Sequence, residues 1–244
     1  MEVTKATRKI SKAIRKLLPL GDCGAVIVAA GSASRMGGID KVMAELEGEP
    51  MIVRTVRTFQ NSDVIKQIVI VTRKDLIEPI KALCRGFDKV TDVVSGGDSR
   101  QASVWRGLNT LSPKMKLAAI QDGARPLITP EVIDRTVRAA HTYGAAAPAV
   151  PVKDTVKIVK GGVVDSTPDR SMLQAVQTPQ VFDRELIIGA LQKALKEEAP
   201  ITDDCSAVER LGMSVKIVEG DERNLKVTTP MDLKVAQMLL EEMK

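Results

Sequence analysis

Three stretches of this chain set charged side chains directly after an apolar run. The first reads Ala25-Val26-Ile27-Val28-Ala29-Ala30, stops at Gly31, passes Ser32, Ala33 and Ser34, and places Arg35 and Lys41 on either side of a Gly37-Gly38 pair. Small residues after a strand let the backbone approach a ligand closely, so that its N–H groups can cradle phosphate oxygens. Two cations beside such a cradle suit a polyphosphate. The spacing is neither a P-loop, G-x-x-x-x-G-K-S/T, nor a dinucleotide fingerprint, G-x-G-x-x-G. The bland alternative is a strand-to-helix loop with two solvated charges. In the second stretch, Ser95-Gly96-Gly97 leads to Asp98, Arg100 and Ser103. Two glycines at the corner again allow close approach, with polar groups on the following turns; Asp98 and Ser99 also read as helix caps. The third is Asp122-Gly123-Ala124-Arg125-Pro126. A carboxylate at the end of a buried strand is a candidate Mg²⁺ ligand, because that ion takes one or two carboxylates plus phosphate oxygens. Arg125, three residues on, suits a further phosphate. Asp-Gly is also a common turn. The single histidine, His141, has no nucleophile or orienting group patterned around it and reads as a surface residue.

These side chains need a frame. The run at 25–30 is too short for a membrane span and rich in β-branched residues, which predicts a buried parallel strand. Further strands are predicted over 65–72, 89–94, 117–121 and 145–150. Helices are predicted over 51–59 with Pro50 at the start, over 75–85 with Asp75 as cap, and over 131–143. The alternation predicts an α/β fold, a doubly wound, mostly parallel sheet. Ligands on such sheets sit at the carboxyl ends of the strands. The pattern then changes. Residues 152–159 alternate polar and apolar, and Gly161-Gly162 precedes Val163-Val164, which predicts a projecting β-hairpin. A helix over 183–198, another opening at 201–206 with Thr202 or Asp203 as cap, a strand over 215–218 and a last helix from Pro230 complete the chain. With no repeat or low-complexity linker, residues 23–244 read as one domain with an arm at 152–178.

Residues 1–22 stand apart. Ile10, Ala13, Ile14, Leu17 and Leu18 recur at helical spacing among basic residues, an amphipathic pattern. Such a helix could lie on an anionic membrane or act as a targeting segment. So short a basic helix anchors weakly alone, which favours packing on its own domain or on a partner subunit. The segment holds six cations against Glu2 and Asp22, a net of +4, so only +1 of the chain's +5 belongs to the rest. The body is not basic, and aromatics, at 2%, are too scarce for a nucleic-acid stacking surface. Three cysteines in no C-x-x-C pattern argue against disulfides and zinc and for a reducing cytoplasm. No run reaches membrane-helix length and no secretory signal is visible, so a membrane partner is not expected.

The first stretch resembles the nucleotide-binding signature A-A-G-x-G-x-R-M of nucleotidyltransferases that activate sugars and polyols. Ala33 stands at its usual second glycine, and Asp40 at a usual proline before the lysine. Later motifs narrow the resemblance to the 2-C-methyl-D-erythritol 4-phosphate cytidylyltransferases. G-G-x-x-R-x-x-S-V is met at 96–104 and D-x-A-R-P at 122–126. Lys153-Asp154-Thr155, Asp169-Arg170-Ser171, Gln177-Thr178-Pro179-Gln180 and Asn224-Leu225-Lys226-Val227-Thr228 also match, while Gln174 replaces a usual tryptophan. The resemblance runs from about residue 24 to the end.

It implies a Rossmann-like nucleotidyltransferase fold whose arm interlocks two subunits of a homodimer. The implied substrates are CTP and a polyol phosphate, with Mg²⁺ or another divalent cation as cofactor. Arg35 and Lys41 would stabilise the triphosphate. Ala29, Ala30, Gly31, Ser32, Ala33, Gly97, Asp98, Arg100, Ser103 and Asp122 would bind the nucleotide, with Asp122 on the metal. Arg170 and Lys226 would position the acceptor, helped by Gly123, Arg125, Thr155 and Thr202, the arm residues serving the neighbouring subunit. The reaction is attack of the acceptor phosphate on the α-phosphorus of CTP, with pyrophosphate leaving. Two alternatives stay open: a ribitol 5-phosphate cytidylyltransferase, which shares fold and loops, and a non-catalytic nucleotide-binding regulatory protein.

Overall fold

Strand β1 (Cys23–Ala29) runs through the middle of the main sheet, paired in parallel on both edges. A strand in that position is covered on both faces, which is why its sequence is continuously apolar. The computed structural model of the chain describes residues 15, 17–31 and 41–242. Among these the main sheet has eight strands. On one side of β1 lie β4 (Ile65–Thr72) and then β5 (Val90–Ser95); on the other lies β6 (Leu117–Asp122). Beyond β6 comes β11 (Gln180–Asp183), antiparallel to both β6 and its far neighbour β7 (Ala145–Pro151). β10 (Gln174–Val176) continues the same edge of β7, and β12 (Lys216–Glu219) pairs in parallel with β7. A small hairpin of β2 (Glu45–Leu46) and β3 (Glu49–Pro50) precedes the helix at Met51–Gln60.

Helices cover both faces. Ala25, Ile27 and Ala29 share a buried layer with α1 (Met51–Gln60), α2 (Ile77–Leu83) and α4 (Pro130–Tyr143). Val26 faces the other way, into a layer with α3 (Arg100–Thr110), α5 (Arg184–Lys196) and α6 (Asp204–Glu209). Alternation along one strand thus feeds two cores. A third cluster joins Ala44, Leu46, Met51, Leu127 and Val227 to Ala236 and Leu240 of α7 (Pro230–Glu242), which anchors the C-terminal segment beside the end of β6.

The predicted α/β sheet is present, with differences of detail. The expected helix over 75–85 is a 3₁₀ turn, Lys74–Leu76, followed by α2. Pro79 has no N–H to give and is tolerated only in a first turn, so the α-helix starts just before it. Asp75 does not cap it; its carboxylate takes the Arg73 guanidinium at 2.9 and 3.2 Å. The hairpin is shorter than the alternating pattern. β8 (Ile158–Lys160) and β9 (Val163–Ser166) pair across Gly161-Gly162, whose φ values of 55° and 80° form the primed turn that suits strand twist. Residues 152–157 have no strand partner among the described residues and stay outside any ladder. β10 and β11 were not expected. Both belong to the main sheet, so residues 174–176 of the anticipated arm lie in the body.

Of the N-terminal segment only its end is described. The Arg15 guanidinium grips Asp183 through two bonds of 3.0 and 2.7 Å, and His141 Nε2 stands 3.2 Å from the Leu18 carbonyl oxygen. Cys23, Cys84 and Cys205 are free and buried. Burial pushes their thiols up, that of Cys84 to about 11, which leaves them unreactive at neutral pH.

Candidate active site

The strand order reverses between β1 and β6. A cavity of about 380 Å³ opens at the carboxyl ends there, at the switch point where open α/β sheets hold ligands. It brings together Ala29, Ala30 and Gly31 from β1, Gly97, Asp98, Arg100 and Ser103 from the β5–α3 corner, Asp122 from β6, and Lys226 from the segment before α7. Nine of the expected residues therefore meet in one place. Ser32, Ala33 and Arg35 lie outside the described residues. Lys41 opens a 3₁₀ turn, Lys41–Met43, whose next residue, Val42, lines the cavity; the Lys41 side chain is outside the described set. The two loops meet because of a glycine. A Cβ at Gly96 would stand 2.5 Å from the Ala30 Cβ and 2.8 Å from the Ser103 Oγ.

Asp122 is the electrostatic centre. Its Oδ1 faces Arg100 Nη2 at 3.4 Å, and its Oδ2 accepts from Lys226 Nζ at 2.7 Å, with Arg125 Nε at 3.9 Å. Burial pushes the carboxyl up, but Arg100, Lys226 and Arg125 together outweigh it and hold it below the ordinary aspartate range. The backbone N–H of Asp122 donates to the Thr178 hydroxyl at 3.1 Å.

Arg100 has a second partner that sequence reasoning missed. Asp204, fully buried at the start of α6, takes both guanidinium nitrogens, at 3.1 and 2.8 Å. Burial lifts the Asp204 carboxyl above its usual range, and Arg100 works against that lift. The available signal was the pair Asp203-Asp204. Asp203 caps α6 in a reciprocal capping box with Ser206, leaving Asp204 one step on, facing inward. In the second stretch the cap is Ser99, whose Oγ accepts from Ala102 N at 3.0 Å. Asp98 is free of that duty and lines the cavity. The Ser103 hydroxyl accepts from Gly97 N at 3.0 Å and donates to Ser99 O at 2.9 Å, so it also shapes the loop.

Five expected acceptor residues do not line the cavity. Gly123 supports it from within, donating its N–H to Val28 O at 2.9 Å and accepting from the Thr55 hydroxyl at 3.2 Å. Thr202 is exposed ahead of α6, where its N–H donates to Ser206 Oγ at 3.1 Å; the cap is Asp203. Thr155 and Arg170 are exposed on the arm, with Arg170 Nη1 donating to Lys153 O at 2.6 Å. Arg125 adjoins Asp122 and donates from Nη1 to Asn224 O at 2.6 Å.

A family model described as 2-C-methyl-D-erythritol 4-phosphate cytidylyltransferase matches residues 23–242. A protein of that name from Caldanaerobacter subterraneus subsp. tengcongensis is 44% identical over 221 residues, spanning 88% of this chain and 97% of its own. One from Geobacillus thermodenitrificans is 46% identical over 220 residues, spanning 88% and 96%. Among solved structures, the 4-diphosphocytidyl-2C-methyl-D-erythritol synthase of Anaerococcus prevotii superposes with a TM-score of 0.83 at 34% identity, covering 91% of this chain and 96% of its own. The matched span takes in every residue of the cavity, and the chain belongs to the 2-C-methyl-D-erythritol 4-phosphate cytidylyltransferase family.

Proposed function

We propose that cytidylyl transfer runs here across Asp122, with CTP held on the β1 and β5 loops and the acceptor phosphate held by Lys226 and Arg125. The chain is a nucleotidyltransferase that moves CMP from CTP to 2-C-methyl-D-erythritol 4-phosphate, a step of non-mevalonate isoprenoid biosynthesis. One observation supports this division of labour: Arg100 approaches Oδ1 of Asp122, while Lys226 and Arg125 approach Oδ2. The carboxylate sits between two cationic groups, one for each substrate. A phosphate monoester has its second pKa near about 6, so the attacking oxygen is already ionised at neutral pH and a general base has little to do. The barriers are charge repulsion and alignment, which preorganised cations address. Arg35 and Lys41 stabilise the triphosphate as charge moves toward the leaving pyrophosphate.

The residues present fit a divalent cation. Asp122 is a cavity carboxylate that its neighbours keep ionised. Among the described residues no cluster of three His, Cys, Asp or Glu could hold an ion alone. Asp122 would therefore hold Mg²⁺ jointly with phosphate oxygens of CTP. When bound, the ion neutralises charge on those oxygens, and the chain's own cations set the alignment.

The arm completes the site of a second copy in a homodimer. Thr155 and Arg170 belong to matched motifs yet lie outside their own cavity, and the arm exposes Val159, Val163, Val164 and Met172. Buried free cysteines suit a reducing cytoplasm, and no helix among the described residues is long and apolar enough to cross a membrane. The test is pyrophosphate release from CTP with Mg²⁺, comparing methylerythritol phosphate with ribitol 5-phosphate. Release dependent on the former is expected. Bound CTP with no release on either acceptor would favour the non-catalytic reading.

A further inference from the structure

On the buried face of α1, Met51, Ile52, Val53, Val56 and Phe59 are apolar, and Thr55 is not. Thr55 is fully buried. Valine would fill the same shape, so the hydroxyl needs a reason: burying it costs free energy unless it is bonded. Its Oγ1 lies 3.1 Å from Met51 O, one turn back in its own helix, and 3.2 Å from Gly123 O. The first contact is one that any helical threonine can make. The second reaches 68 residues along the chain, to the turn directly after Asp122.

That turn is closely held. The Gly123 N–H donates to Val28 O at 2.9 Å, and the Val227 N–H, next to Lys226, donates to Ala124 O at 2.9 Å. A Cβ on Gly123 would stand 3.1 Å from both Ile52 Cδ1 and Val28 O. Among the described residues no backbone N–H reaches the Gly123 carbonyl oxygen, which leaves Thr55 as its donor. The Gly123–Ala124 bond is trans, and a trans peptide points its C=O and N–H in opposite directions. With the oxygen drawn to α1, the Ala124 N–H is turned away from that helix, and Ala124 lines the cavity. At the start of α1, the Met51 N–H donates to Ala44 O at 2.9 Å, directly after the Lys41–Met43 turn.

We propose that Thr55 is a positioning residue for the transfer: it fixes the peptide that follows Asp122, and with it the placing of Asp122 and Arg125 on either side. Thr55 does not line the cavity and acts through that peptide. Helix α1 thereby ties the Lys41 turn to the Asp122 turn. The inference rests on the reading that transfer runs across Asp122.

The experiment uses the full chain with CTP, Mg²⁺ and methylerythritol phosphate, comparing Thr55→Val, Thr55→Ala, Thr55→Ser and Asp122→Asn. For each, kcat, both KM values, CTP affinity by direct titration and thermal midpoint are measured. Thr55→Val keeps the shape and removes the donor. Its kcat should fall roughly tenfold, with both KM values and CTP affinity within about threefold, because the placing of the central carboxylate counts most in the transition state. Thr55→Ser keeps the hydroxyl and should return kcat to within about twofold of wild type. A packing role gives the reverse order, valine near wild type and serine impaired, and overturns the proposal. So does a serine variant no better than alanine, or a valine variant whose KM values rise while kcat is kept. If Thr55→Val does not fold, Thr55→Ala gives the same comparison, and normal kcat there overturns the proposal too. Those results beside a crippled Asp122→Asn refute the positioning role alone. A normal Asp122→Asn refutes the reading across Asp122 and the proposal with it.

Discussion

Arg100 is shared between two carboxylates: it grips Asp204 with both terminal nitrogens and leans toward Asp122 at 3.4 Å with one of them. Asp204 does not line the cavity. Its work is to stop Arg100 from collapsing fully onto Asp122, so that the guanidinium edge and the carboxylate both remain available at the cavity.

Asp204→Asn should therefore change both stability and nucleotide binding. Removing one partner of a buried ion pair typically costs about 3 kcal/mol or more. With Arg100 released onto Asp122, the KM for CTP should rise roughly tenfold, the equivalent of one charge-assisted hydrogen bond. Denaturant unfolding and CTP-varied kinetics check the two effects. Unchanged values in both would remove Asp204 from the site's support.

The depressed pKa of Asp122 predicts an acid-side stability loss. The native carboxyl titrates below its unfolded value of about 3.9, so its contribution is complete above that pH and is lost as pH falls through the lower native pKa. Wild type should exceed Asp122→Asn in thermal midpoint near neutrality, and the gap should close below about pH 4. Midpoints measured from pH 3 to 7 decide it; a gap that widens in acid has the wrong sign.

On the proposed reading, Arg35 and Lys41 meet the charge that develops on the leaving group. Replacing either with alanine should lower kcat about a hundredfold, or roughly 3 kcal/mol, and raise KM less. Arg35→Lys should rescue poorly because an ammonium lacks the planar fork, while Ala33→Gly should be neutral or mildly favourable for CTP. Near-normal kcat in both alanine variants would mean that this loop is not the cradle.

If the arm serves a second copy as proposed, deleting residues 158–166, the hairpin at its end, should give monomers with little activity, because Thr155 and Arg170 then lose that copy. Light scattering beside an activity assay tests this. A fully active monomer at assay concentration contradicts it.

The Arg15–Asp183 pair is half-exposed, so its worth is small, about 0.2–1 kcal/mol. Arg15→Ala should lower the thermal midpoint by no more than about 2–4 °C and leave kcat unchanged, with Arg15→Asp/Asp183→Arg recovering part of the loss. Liposome sedimentation of the full chain and of a form lacking residues 1–14 measures the competing membrane role.

Legibility followed how local the cause was. The strand expected over 65–72 coincides with β4, because a strand buried on both faces spells itself as an unbroken apolar run. Gly31 and Asp122 were legible because each stands at the end of a buried strand, and Gly97 because it doubles Gly96 at a strand-to-helix corner. β11 was not, since four residues take strand form only through β6 and β7 on either side. Asp204 was not, because its partner lies 104 residues away. The hairpin is shorter than its alternation suggests because alternation marks a strand only where a partner strand exists, and residues 152–157 have none among those described.

The place of β11 also has a consequence for the order of events during synthesis. A ribosome delivers β6 and β7 before the strand that fills the slot between them, and chains tend to fold from the N-terminus as they emerge. The half of the sheet that carries β1, β4, β5 and β6 can assemble early. Asp122, however, gains its Thr178 partner only after the whole arm has been translated. A nascent chain stalled before residue 178 would thus hold the nucleotide-facing loops in place while its central carboxylate still lacked that support, so competence arrives late and with the same stretch that commits the arm.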